Sequence, residues 1–165
     1  MEKLKGKFGH RVIVEAVRDG DVLWREDITN IVFNEGLNDI LDRYYKGANY
    51  TAAHYLGLTS GSPTFAAGDT MASHAGWSEV TAYSGSARPT IAWGTASSGS
   101  ISNSGSPAQF TINASTTVGG VFITTDATKG GTAGKLIAGA AFSANRSLAA
   151  NDTLRVTVTA QLTSS

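Results

Sequence analysis

Apolar and polar positions change period twice in the first fifty residues of this chain. His10 to Val17 alternates loosely, Asp19-Gly20-Asp21 supplies turn residues, and Val22 to Asp27 resumes the strand-like pattern. An Asp-Gly pair tolerates the positive φ that a tight hairpin needs, so this segment predicts a β-hairpin, continued by a third run from Ile28 to Phe33. The period then lengthens. Leu37, Ile40, Leu41, Tyr44 and Tyr45 recur at i, i+3, i+4, i+7 and i+8, which predicts one helix near residues 35–46. Asn34 offers an N-terminal cap and Gly47 a stop. With Glu35, Asn38, Asp39, Asp42 and Arg43 on the other face, the apolar stripe is expected to lie on a sheet and the polar face in water.

From residue 48 onward the vocabulary is Gly, Ala, Ser and Thr with spaced aromatics. Short apolar runs stand at 54–59, 78–83, 90–94, 108–114, 118–125, 135–142 and 153–162. Such spacing predicts a mainly β chain, an antiparallel β-sandwich of jelly-roll or Ig-like type, with the one helix. In the last run Leu154, Val156, Val158, Ala160 and Leu162 point one way and Arg155, Thr157, Thr159 and Gln161 the other. The glycine-rich DATKGGTAG should close a hairpin between VFITT and KLIAGAAF, and Gly119-Gly120 marks a bulge or a close backbone approach. Residues 95–109 read as a solvated hairpin loop in preference to a disordered linker. The expected organisation is residues 1–29 as an N-terminal hairpin or attachment segment and 30–165 as the sandwich, together one compact domain.

Between His54 and Gly94 two strand-like runs flank a loop of small residues that still carries Met71, His74 and Trp77, with Tyr55 and Tyr83 at its borders. Bulky side chains persist in a polar loop when something covers them, because a covered aromatic removes about 150–250 Å² from water. These five residues are the candidate contact loop, fastened either to the chain's own sheet or to a neighbouring subunit. Trp93, Phe110, Phe122 and Phe142 lie inside strand-like runs and are assigned to the core.

Composition narrows the function. The 165 residues contain no cysteine, which removes disulfides, cysteine zinc sites and thiol nucleophiles. Net charge is zero and 16% of residues are charged, unlike a protein that holds nucleic acid or an anionic membrane through clustered Lys and Arg. Of the 26 charged residues 17 lie in positions 1–46, so the two parts of the chain face different surroundings. The N-terminus does not read as a signal peptide, and no stretch reaches the length of an apolar membrane span.

KGGTAGK departs from a phosphate loop at both ends, with Lys129 where the first glycine belongs and Leu136 where the hydroxyl residue belongs. Asp69, His74 and Glu79 form the most plausible zinc trio, although their spacing is not that of a ligand set and capping or carbonyl bonds explain them more simply. Glycosidase chemistry needs two facing carboxylates, and after residue 46 only Asp69, Glu79, Asp126 and Asp152 are available, all near predicted loops where solvated caps suffice. No G-x-S-x-G elbow is present. The reading is therefore a protein without catalytic residues, cofactor or metal.

The segments NIVFNEGLNDILD (Asn30 to Asp42), YLGLT followed by GSPTFAAGDTMASHAGWSEVTAY, RPTIAWG, FTINA, VGGVFITT, GGTAGKLIAGAAF and NDTLRVTVTAQL resemble a group of small tailed-bacteriophage virion proteins. The resemblance runs from about residue 30 to 162. It implies a non-enzymatic structural role, first as a capsid decoration or cement protein. Such a protein is made in the host cytoplasm, sits on the capsid surface, binds the major capsid protein and forms a homo-oligomer, without nucleic acid or membrane. The alternative is a tail or fibre protein that binds a host surface glycan through Tyr55, Trp77 and Tyr83.

Overall fold

The computed structural model describes residues 6–47 and 53–164; the first five residues of the expected attachment segment lie outside them. The strands are β1 (Gly6–Arg18), β2 (Asp21–Thr29), β3 (Ile31–Val32), β4 (Tyr55–Thr59), β5 (Glu79–Val80), β6 (Ser100–Ser102), β7 (Ala108–Thr111), β8 (Thr116–Thr124), β9 (Leu136–Leu148) and β10 (Thr153–Ser164), with helix α1 (Asn34–Lys46) between β3 and β4. They form two antiparallel sheets, one in the order β2-β1-β10-β6 with β7 also on β10, the other β3-β9-β8-β4-β5. The chain is an antiparallel β-sandwich with one helix.

The β1–β2 hairpin turns through Asp19 and Gly20, both at positive φ, as its sequence predicts. β1 is an interior strand, paired with β2 on one side and along twelve positions with β10 on the other. Its alternate residues Val12, Val14 and Ala16 meet Val158, Val156 and Leu154 in register and are all buried. Across the sandwich they face Leu56, Leu58, Val121, Ile123, Ala138 and Ala140. Glu26 of β2 closes one edge by accepting the Ser143 N–H at 2.5 Å and the Arg146 guanidinium at 3.3 Å. Asp152, read as a solvated cap, does cap its turn by accepting the Ala149 N–H at 2.9 Å, but it is fully buried and holds Arg18 at 2.6 and 2.9 Å.

Two runs behave differently from expectation. Residues 90–94 form no strand; Tyr55 and Thr90 make a single bridge and Ile91 N–H reaches His54 O at 2.8 Å. Conversely, the stretch 95–109 contains β6. Between β6 and β7 the buried Asn103 side chain continues the ladder, accepting the Val158 N–H at 2.7 Å and donating to Val156 O at 3.2 Å. An amide side chain thus stands in for strand backbone, which hydrophobic periodicity does not register.

The helix lies where its period predicts but the other way round. Its N-cap is Phe33, without a side-chain bond, and Asn34 is already helical, its N–H donating to Ala67 O at 3.0 Å. Gly47 ends it in the left-handed region, φ 65°. The buried positions are Gly36 and Asp39, whereas Leu37, Leu41, Tyr44 and Tyr45 are exposed. Gly36 turns inward because a Cβ there would stand 2.5 Å from the Ile137 carbonyl of β9. Asp39 is held between Arg43 and Lys135, each at 2.6 Å, and Glu35 accepts the Leu136 N–H at 2.8 Å. The expected wet face therefore binds β9 through paired charges, and the expected buried stripe faces solvent.

Candidate functional site

The loop from Ser60 to Ser78 lies across the outer face of the second sheet, where small residues make room for it. Gly57, Phe122 and Gly139 stand opposite one another on β4, β8 and β9. A Cβ on Gly57 would overlap the Phe122 ring, and one on Gly139 would come within 2.8 Å of Phe65. Gly119 and Gly120 approach Pro63 in the same way, at a register shift between Val118 and Gly120, so both the bulge and the close approach expected there are present. On this floor Phe33, Met71, Trp77, Phe122 and Leu136 form a second core, with Phe65 packed against it.

Trp77 is its centre. Its ring stacks on His74 at 3.7 Å between centroids and 14° between planes, and meets Phe122 at 4.9 Å and Phe65 at 5.7 Å. Its indole N–H donates to Asp69 at 3.2 Å, and His74 Nδ1 bonds Trp77 O at 3.0 Å. Of the five candidate contact residues, Met71, Trp77 and Tyr83 are buried at 2%, 7% and 0% exposure, while His74 and Tyr55 are half-buried. Met71, His74 and Trp77 come together on this chain's own sheet. Tyr83 lies elsewhere, edge-on to Phe110 in the main core, and its hydroxyl is pushed above the ordinary range, first by burial and then by the Glu79 charge.

The acidic and basic residues with chemical potential are committed to structure. Glu79 receives Arg88 Nε and Nη2 at 2.9 and 2.7 Å and the Gly130 N–H at 2.9 Å. Arg88 is fully buried, and its remaining donors reach Asp126 O at 2.9 Å and Gly131 O at 2.7 Å. The glycine-rich turn that resembled a phosphate loop wraps this ion pair, and Lys129 caps it by donating to Tyr83 O at 2.9 Å and Gly85 O at 2.6 Å. Asp69 accepts the Ala66 N–H at 3.1 Å besides the indole. Asp69 and His74 thus both serve Trp77 while Glu79 serves Arg88, and among the described residues no three metal-ligating side chains converge. A buried arginine in SGSARPT carries no local signal; only its distant partners reveal it.

Another recess lies at the open end of the sandwich. There β1 and β10 run past the second sheet, and Phe8, Ile40, Trp93, Ile101, Ile137 and Leu162 line a groove of about 310 Å³. His10 and His54 stand on its wall. His10 Nδ1 accepts a bond from the Asn30 amide at 2.8 Å, an orientation set because Asn30 Oδ1 receives the His10 backbone N–H. Burial, and then the neighbouring His54, lower the His10 pKa to about 4. His54 is lowered too, first by burial.

No curated protein matches the chain. The family described as podophage GP4 fiber I protein gp80 matches residues 33–164, a span that opens at the N-cap of α1 and takes in the second core, the Arg88 ion pair and every strand from β4 onward. Over four fifths of its length this chain belongs to that podophage fiber protein family.

Proposed function

We propose that this chain is a non-enzymatic, fibre-associated structural component of the phage particle. The observation that carries this reading is the family match over residues 33–164. Its physical support is that the carboxylates best placed for chemistry serve packing: both oxygens of Glu79 are taken by Arg88 and the Gly130 N–H, and Asp69 Oδ2 accepts the Trp77 indole and the Ala66 N–H. Host attachment through Tyr55, Trp77 and Tyr83 is not part of the proposal, because two of those rings are buried in the fold. Immunogold labelling of native particles tests the placement: label on fibres or at the tail vertex supports it, and label spread over the shell overturns it.

Capsid decoration is the second reading. It draws on the charge concentrated in the β1–β2 hairpin, where Arg11 pairs with Asp27 and Arg25 with Glu15 at partly exposed positions. Such a surface suits a polar seat on the major capsid protein, and β1 and β2 lie outside the matched span. Shell-wide label in the same experiment favours this reading.

A further inference from the structure

We infer that the outward stripe of α1, together with the groove at the open end of the sandwich, is a self-association face covered by a second copy of this chain. Tyr44 and Tyr45 are 76% and 77% exposed, and Leu37, Leu41 and Leu162 are 39%, 53% and 60% exposed. Ile40 joins the two parts, since it belongs to the stripe and also lines the groove.

Area is the first argument. At the usual size of aromatic and leucine side chains these residues leave on the order of 500 Å² of apolar surface in water, as much as the largest patch a typical monomer shows. A standard interface buries about 800 Å² per partner, roughly 60% of it apolar, so the patch matches the apolar share of one such interface.

Shape is the second. The protruding pair Tyr44 and Tyr45, edge to face at 5.1 Å, and the recess walled by Phe8, Trp93, Ile101 and Leu162 adjoin on one chain. A knob and a hole on the same face are complementary to the same face of a second copy, so that a two-fold arrangement fills both grooves at once. Charge permits the approach. Asp39, on the groove wall, is paired with Arg43 and Lys135 and Asp42 of the helix with Lys46, each at 2.6 Å, and the chain carries no net charge. A glycan is the weaker occupant, because the stripe offers leucines and few hydrogen-bonding groups beside its rings.

The inference is independent of where the particle carries the chain, and its test uses purified full-length protein. Analytical ultracentrifugation over a concentration series should give a self-associating wild type. The double variant Tyr44→Glu/Tyr45→Glu and the single variant Leu162→Glu should each weaken association at least tenfold, with unchanged melting. A cysteine-free chain adds a second readout that needs no disruptive charge. Leu41→Cys should form a disulfide-linked pair under mild oxidation, and Ser115→Cys, at the far end of the sandwich, should not. A monomeric wild type at about 100 μM, where an interface with a Kd of about 10 μM would be mostly associated, overturns the inference; so does an oligomer that both glutamate variants leave intact.

Discussion

Phe122 stands directly opposite Gly57 in the β4–β8 ladder, with its ring over the space where a side chain on Gly57 would project. The absence of a Cβ on one strand thus seats the ring that carries Trp77 and the whole loop from Ser60 to Ser78.

Gly57→Ala should therefore act as an overpacking substitution. The new methyl meets a ring confined by Trp77 and Leu136, and such insertions cost about 1–3 kcal/mol. Urea denaturation should give a loss in that range with an unchanged slope. A variant as stable as wild type would mean that the ring can move aside.

Trp77→Ala removes the centre of the second core. Truncating a buried aromatic costs about 3–5 kcal/mol, and Asp69 loses its indole donor as well. The loop should become the first site of limited proteolysis. Because the ring packs on its own sheet, the effect should appear in the isolated protein; a variant that melts normally yet fails only in particle assembly would contradict this placement.

Arg88 and Glu79 should be strongly coupled. Arg88→Met strands a nearly buried carboxylate, 9% exposed, and breaking a buried pair from one side costs about 3–5 kcal/mol. The double variant Arg88→Met/Glu79→Gln carries neither charge and should be less destabilised than the sum of the two single changes. A double-mutant cycle measured by denaturation reads this directly, and strict additivity would refute it.

Stability should fall in acid because of His10. The folded protein binds this proton only near pH 4, whereas the unfolded chain binds it near the ordinary 6.5. The unfolded state then holds more protons between those values, so stability is full above about pH 6.5 and declines as pH drops toward 4. The decline amounts to about 3 kcal/mol. His54 adds to it in the same direction. Below that window Asp152 is held under the ordinary range chiefly by its bond from Arg18, and Asp39 by bonds from Arg43 and Lys135 that outweigh burial; both contribute further loss. His10→Gln should flatten the midpoint of urea unfolding between pH 4 and 6.5, and an unaltered slope would exclude His10 as its source.

Much of the sandwich is written in local order. The alternation of β10, the Asp19-Gly20 turn, the β8–β9 hairpin and the extent of α1 all follow from neighbouring residues, because strand and helix periods and turn chemistry act over a few positions. Leu162 is the exception that marks a boundary, since it keeps the inward parity of Leu154 but lies beyond the cover of the second sheet. Parity tells which residues share a face, not how far the opposite sheet extends.

The sequence by itself determined the fold class, the helix and its limits, the absence of thiol chemistry, and the resemblance to phage virion proteins. Tertiary structure alone decided which side of α1 turns inward, because Asp39 is satisfied by Lys135, ninety-six positions away, and Gly36 by a close approach to Ile137. It also decided that Met71 and Trp77 belong to a core and that Arg88 is buried. In each case the deciding partner is a glycine that lacks a side chain or a charge on another segment of the chain, and neither leaves a periodic trace in the sequence.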